Sequence, residues 1–199
     1  MTSSLEKTLV AVVAIAVIIV TVVLLAVGVQ GIYGLTQALI GLGYLGAFLS
    51  GLLGTSSLMI SIFPPQVVAF LMGAPALGFN PMLIGILAGL GAGIGQYFHY
   101  YVGAGGRFLL SEKRRASMEK WKARLDKYGV ILIFLFAVTP LTPDDLLWIP
   151  LGMMKYPKVK ALASAIVGKT VMLVICAYGG YYSIDLIQKY LVEMGVGIP

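Results

Sequence analysis

Hydrophobic positions along this chain fall into long runs, and what interrupts them is proline rather than a regular polar stripe. Residues 9–29 hold nothing more polar than Thr21, and as a helix that run crosses the ~30 Å hydrocarbon core of a bilayer. Lys7 stands before it as in a secretory signal. The run is longer than a usual signal core, and no convincing small-residue cleavage site follows, so it reads as a retained transmembrane helix. Residues 30–43 are Gly-rich and weakly amphipathic, the pattern of a connector lying at the interface. Residues 44–78 are apolar as far as Phe63, break at Pro64-Pro65 and resume from Gln66 to Gly73; Thr55, Ser56, Ser57 and Ser61 bring hydroxyls toward the break. Residues 82–102 predict a spanning helix on which Gly85, Gly89 and Gly93 recur every four residues beside Gly91 and Gly95. Small residues at that spacing let another backbone come close, and the first broken stretch is the expected partner. The helix ends polar-aromatic, with Gln96, Tyr97, His99, Tyr100 and Tyr101.

Residues 111–127 are the one soluble-looking stretch. Met118, Trp121 and Leu125 stand at i, i+3 and i+7 among acids and bases, which puts them on one face of a helix. Such a helix lies on the membrane surface with its basic side toward phosphate headgroups; a solvated linker helix without a lipid role fits the same pattern. The second broken stretch follows at once. Residues 130–138 form an apolar run too short to span. Thr139-Pro140-Leu141-Thr142-Pro143 then breaks any helix, because proline lacks the amide hydrogen and disfavours helical geometry in the residue before it. Thr142-Pro143-Asp144-Asp145 reads as a fresh helix start: threonine caps, proline takes the first position, and the acids sit at the positive end of the dipole. Two half-helices meeting at a polar turn predict a re-entrant hairpin. Such backbone is tolerated at membrane depth only where protein buries it or where it lines a watery cavity. Residues 159–182 predict a second spanning helix carrying Lys169, and residues 181–195 a short amphipathic tail with Asp185, Lys189 and Glu193 at helical spacing.

The two broken stretches match. Pro64 to Gly73 has the same spacing as Pro143 to Gly152, which puts Gln66 in register with Asp145. Each ends with an aromatic residue at or near a proline, Phe79-Asn80-Pro81 and Tyr156-Pro157, and each precedes a long apolar helix. This is an internal repeat, hairpin plus spanning helix, twice. Charge orients the copies. Eight of the fourteen Lys+Arg lie between Arg107 and Lys127, which places that stretch in the cytoplasm, with Lys155, Lys158 and Lys160 on the same side. The N-terminus is then cytoplasmic and the C-terminus outside. One hairpin dips in from each face. The expected fold class is an all-α polytopic membrane protein of the cell membrane. It has an inverted repeat of re-entrant hairpin plus transmembrane helix, an N-terminal transmembrane helix and a cytoplasmic amphipathic helix. In ranges, residues 1–43 are the first helix and connector, 44–105 repeat one, 128–182 repeat two and 183–199 the tail.

Composition agrees: 59% of residues are hydrophobic and 11% charged, with mean hydropathy +0.96, more apolar surface than a soluble fold can hide. The net charge of +6 is concentrated enough to be a topology signal, and no nucleic-acid partner is expected. Cys176 is the single cysteine, a packing residue unable to form an intrachain disulfide. His99 is the only histidine, and one histidine does not make a metal site; no cofactor is expected. Sites in inverted repeats lie near the midplane where broken helices meet. That makes Gln66, Asp144 and Asp145 candidates for a substrate or proton pathway, beside the breaks at Pro64, Pro65, Thr139, Pro140, Thr142 and Pro143. Lys169 joins them: a lysine inside a span is costly and usually paired, and Asp144 and Asp145 are the obvious partners. Gly73, Gly85, Gly89, Gly93 and Gly152 are expected to pack helices.

Between Gly41 and Tyr182 the chain resembles the DedA superfamily, also called VTT-domain or SNARE-associated Golgi proteins. That family's Pro-Gly-Glu and following Ala-Gly stand here as Pro64-Pro65-Gln66 and Met72-Gly73. Its Gly-Asp, tyrosine and Gly-Arg stand as Gly95-Gln96, Tyr100 and Gly103-Ala104, and its second-hairpin prolines and glycine as Pro140, Pro143 and Gly152. Ala137 falls where the family has an arginine, which Arg107 could replace one turn beyond Gly103-Ala104. Glycines and prolines match while charges do not. The resemblance implies a transporter or scramblase of phospholipid or polyprenyl-phosphate headgroups, coupled to protons, with membrane lipids as partners and a homo-oligomer left open. A small-cation exporter and a non-transporting assembly protein remain alternatives. An aspartyl hydrolase needs carboxylates converging from separate elements, whereas adjacent acids on one helix point ~100° apart, so no enzyme is expected.

Overall fold

The computed structural model describes residues 31–56, 64–106, 112–139 and 145–193, and among them every element is helical. Residues 31–41 (α1) are helical where a connector was expected. The Thr36 hydroxyl bonds back to Ile32 O at 2.8 Å, and Leu39 is buried, so this segment has an apolar side to cover. Gly43 takes φ 60°, a conformation that costs glycine nothing, and the chain turns there into α2 (Gly43–Ser56). Then come α3 (Pro65–Met72), a 3-10 turn (Pro75–Leu77) and α4 (Pro81–Gly106). Asn80 caps α4: its Oδ1 accepts from Met82 N at 2.9 Å, and Pro81 supplies the first position without losing a bond. The second half repeats the order with α5 (Glu112–Val138), α6 (Asp145–Met153) and α7 (Lys158–Glu193).

Two expected boundaries are not breaks. The basic stretch 111–127 and the apolar run 130–138 form one helix, α5, because only Tyr128 and Gly129 separate them and a lone glycine costs about 1 kcal/mol. The spanning helix and the amphipathic tail likewise form one helix, α7, of 36 residues, since no proline stands between Gly179-Gly180 and its end at Glu193. The first apolar run, residues 9–29, and the tip of each broken stretch lie outside the described residues.

Pro81–Gly106 and Lys158–Ser183 are both long and apolar enough to cross a membrane. At 26 residues each they are about 39 Å long. They pack antiparallel: Gly85 meets Val174, Gly89 meets Thr170 and Gly93 meets Ile166. These three glycines were expected to face the first hairpin. It is Gly91 and Gly95, about 140° around the helix, that face α2, against Phe48, Leu52 and Thr55. The short helices lie on this central pair in an exchanged pattern. α2 packs on α4 and α5 on α7; α3 packs on α7 and α6 on α4. The contacts correspond residue by residue. Gly91 abuts Phe48 and Leu52 of α2, and Gly168 abuts Phe134 and Val138 of α5. Gly73 and Phe70 meet Ala177 and Gly180, while Gly152 and Ile149 meet Tyr100 and Gly103. Two apolar clusters result, one around Met72, Ile84, Ala88 and Leu173, the other around Tyr100, Ile133, Trp148 and Tyr156.

Candidate functional site at the α4–α7 crossing

Polar side chains gather where α3 and α2 reach the central pair. Pro64 is extended, and Pro65 opens α3 without a side-chain cap; Val67 N donates to Pro64 O at 3.0 Å. Gln66, in the first turn, places its Nε2 4.0 Å from Met172 Sδ. Its Oε1 is buried, with no hydrogen-bond partner among the described residues. Lys169 lies three residues before Met172, hence on the same side of α7. It is 4% exposed, close to the middle of the apolar span. On the α4 side the buried Thr55 Oγ1 lies 2.8 Å from both Gly51 O and Ala92 O, and Ser56 Oγ donates to Leu52 O. Gln96 and His99 are buried further along α4.

Gln66 and Lys169 are thus brought to the same side of α7. Thr139 ends α5, its hydroxyl donating back to Leu135 O at 2.7 Å. Asp145 begins the described part of α6, but its side chain is not described. Asp144, Arg107, Pro140, Thr142 and Pro143 lie outside the described residues. Ala137, where the resemblance has an arginine, is buried against Gly168, so no larger side chain fits there without moving α5 from α7. Two residues that were not singled out beforehand, Gly168 and Gly180, matter as much, as does a set of contacts around Lys158, Tyr100 and Tyr156. Gly168 and Gly180 complete the exchanged contacts, and their signal is arithmetic: they follow Gly91 and Gly103 at one common offset. Lys158 places its Nζ 4.9 Å from the centre of the Tyr101 ring and 5.9 Å from that of Tyr100. Tyr100 in turn donates to Tyr156 O at 2.8 Å. The Tyr156 phenol is pushed above its ordinary value by burial and then by the Asp126 carboxylate, so it is neutral at physiological pH.

A lysine and amide groups at mid-span, with hydroxyls spent on helix carbonyls, suit holding or passing a polar group. No cluster of three or more His, Cys, Asp or Glu that could hold a metal occurs among the described residues. Two long apolar helices on which shorter helices pack, one of them opened by Pro65, define an all-helical membrane protein. The VTT domain matches residues 63–182, and the chain belongs to that family, the domain of the DedA and SNARE-associated Golgi proteins. The family is membrane-associated and suggested to be transporter-like. No curated protein and no solved structure matches the chain.

Proposed function

We propose that this protein moves phospholipid or polyprenyl-phosphate headgroups across the cell membrane. The route is a polar path between two re-entrant hairpins that form an inverted repeat. The observation that carries this reading is the exchange of contacts around α4 and α7. An antiparallel central pair whose satellite helices swap partners in register is what an in-plane pseudo-two-fold axis produces. Sites in such folds lie at midplane, between discontinuous helices. Helices α3 and α6, with eight and nine residues, are only about 12–14 Å long and cannot span. They are the returning arms of the hairpins, with the breaks at Pro64-Pro65 and residues 139–143. The N-terminus and the basic part of α5 face the cytoplasm, and the end of α7 faces outside.

Asp144 and Asp145 pair with Lys169 at rest, since a buried lone lysine is costly. A phosphate headgroup competes for the lysine, and the carboxylate it displaces takes up a proton. Asp145 is the switch, being in register with Gln66; Asp144 is secondary. The test is reconstitution in liposomes with fluorescent phospholipid and polyprenyl-phosphate probes, with and without a pH gradient. Wild type accelerates probe movement, and Asp145→Asn slows it by tenfold or more while folding normally. Asparagine keeps a capping acceptor, at a loss of about 1 kcal/mol, but cannot cycle a proton. Asp144→Asn is milder. Equal signal from empty and protein-containing vesicles assigns the protein to a structural role. An Asp145→Asn variant with wild-type rate and pH response removes the proton switch.

A further inference from the structure

Cations collect at one end of the helix pair, where the chain has built a support for them. Lys122, Arg124 and Lys127 of α5 are exposed, as are Lys155, Lys158 and Lys160 around the α6–α7 turn. Tyr156 ties the two groups together. Gly129 of α5 packs under its ring, Asp126 is near enough to shift its phenol, and its carbonyl accepts the Tyr100 hydroxyl. The aromatic residues form a shelf: Tyr97 stacks on Tyr100 at 5.8 Å and meets Tyr101 and Trp148 edge-on at 5.1 and 6.5 Å. Lys158 rests on that shelf, over the faces of Tyr101 and Tyr100. Against these six cations, Asp126 is the one acid at this end whose side chain is described. Among the described side chains, the other end of α7 offers exposed Lys189 and Glu193, one of each sign.

We propose that this face is a binding surface selective for anionic phospholipid headgroups of the leaflet it adjoins. Charge complementarity favours that occupant. The cations sit where apolar helices end, at headgroup level, and tyrosine and tryptophan belong at that depth. Lys158 is held in place beforehand, and each basic residue near such a surface contributes on the order of a fewfold in anionic-lipid affinity. The proposal does not depend on transport: a surface that only collects lipid would behave in the same way.

The test uses the full chain in phosphatidylcholine bilayers containing trace spin-labelled phosphatidylglycerol or spin-labelled phosphatidylcholine. The motionally restricted fraction reports association at the protein. The expected result is a phosphatidylglycerol preference of at least ~3-fold at low salt that falls toward unity near 0.5 M NaCl. The triple variant Lys155→Gln, Lys158→Gln, Lys160→Gln abolishes most of the preference, whereas Lys189→Gln leaves it intact. Tyr101→Leu keeps every charge but removes the shelf, and lowers the preference by a smaller factor. Equal association of the two lipids with wild type, or an unchanged preference in the triple variant, overturns the proposal. So does wild type that shows no lipid preference but is retained by immobilised polyglutamate, which would assign the face to an acidic protein.

Discussion

Substituting Gly152 with alanine tests the exchanged contacts directly. A methyl there would lie 2.8 Å from Ala104 N and 2.9 Å from the Tyr100 carbonyl carbon, where carbon contacts settle at ~3.5–4.0 Å. The neighbours are backbone of α4 and cannot swing aside. Helix α6 must therefore retreat by several tenths of an ångström or more, loosening Trp148 and Leu151 in the cluster they share with Tyr100. Overpacking of this kind costs ~1–3 kcal/mol or somewhat more, and alanine's better helix propensity returns about 1 kcal/mol. Because the neighbours are rigid backbone the cost falls at the upper end of that range, and the expected net loss is about 2 kcal/mol. At 2–4 °C per kcal/mol for a chain of this size, that lowers the melting midpoint by about 4–8 °C. Gly73→Ala should behave alike, because its methyl would lie 2.8 Å from the Ala177 carbonyl carbon. Its φ of −70° is ordinary for alanine, so backbone strain does not confuse the comparison. Gly34 is helical with nothing within 4 Å of a would-be methyl, and Gly34→Ala should be neutral or stabilising by up to about 1 kcal/mol. The assay is thermal unfolding in detergent followed by fluorescence-detected size exclusion. Midpoints for Gly152→Ala and Gly73→Ala at or above that of Gly34→Ala would refute the contact scheme.

Three further outcomes are expected. A cysteine at Ser117 in a Cys176→Ala background should be shielded from impermeant thiol reagent in intact cells, while one at Ser183 reacts; reversed labelling would overturn the orientation. Lys155 holds φ 54° at the end of α6, with Tyr156 N bonded to Leu151 O at 3.0 Å, the helix-ending geometry that favours glycine; Lys155→Gly should therefore raise unfolding stability by about 1 kcal/mol. Because the folded Tyr156 phenol titrates above its ordinary value of 10.0, the unfolded chain ionises first: this residue's contribution is intact below pH ~10 and is lost as pH rises beyond it. Tyr156→Phe should thus flatten the alkaline loss of stability seen in melts between pH 9 and 11, and an unchanged slope would dismiss the group.

How much of this was legible beforehand depended on what each residue type reports. Proline and asparagine act on their own neighbours, so Pro65 at the start of α3 and Pro81 behind the Asn80 cap mark helix starts that can be read locally. The four-residue spacing of Gly85, Gly89 and Gly93 announced a close helix contact but not with which helix. A glycine stripe says only that a backbone approaches, and Gly91 and Gly95 lie close by on the same helix facing another one. The joins inside α5 and α7 were missed because a change of hydropathy was read as a boundary. Helical hydrogen bonding continues through such a change unless proline or a strained turn stops it. Tyr156 as the tie between α5, α4 and the basic face had no local signal, since its partners stand 27 and 56 positions away.

The exchanged contacts also separate residues that packing needs from residues that it does not. Gly91 and Gly168 occupy like surroundings, against Phe48 and Leu52 in one half and Phe134 and Val138 in the other. Their successors, Ala92 and Lys169, are therefore equivalent in the backbone. Ala92 is fully buried, its carbonyl accepting from Thr55; the slot is satisfied by a methyl. At the matching place Lys169 orders four methylenes and an ammonium at 4% exposure, which costs about 2 kcal/mol of side-chain freedom before desolvation is counted. Helix packing supplies no reason for that cost, because the other half closes the same contact with alanine. Gln66 poses the same question at its own register, with an amide oxygen buried beside methionine where an apolar residue would pack without loss. Each shared contact sets a glycine of one helix against the backbone of another, whereas Lys169 places a charge, mid-helix, where the other half has Ala92. Lys169 and Gln66 are therefore the next residues to substitute, as Lys169→Ala and Gln66→Leu, in the liposome assay of the proposed transport.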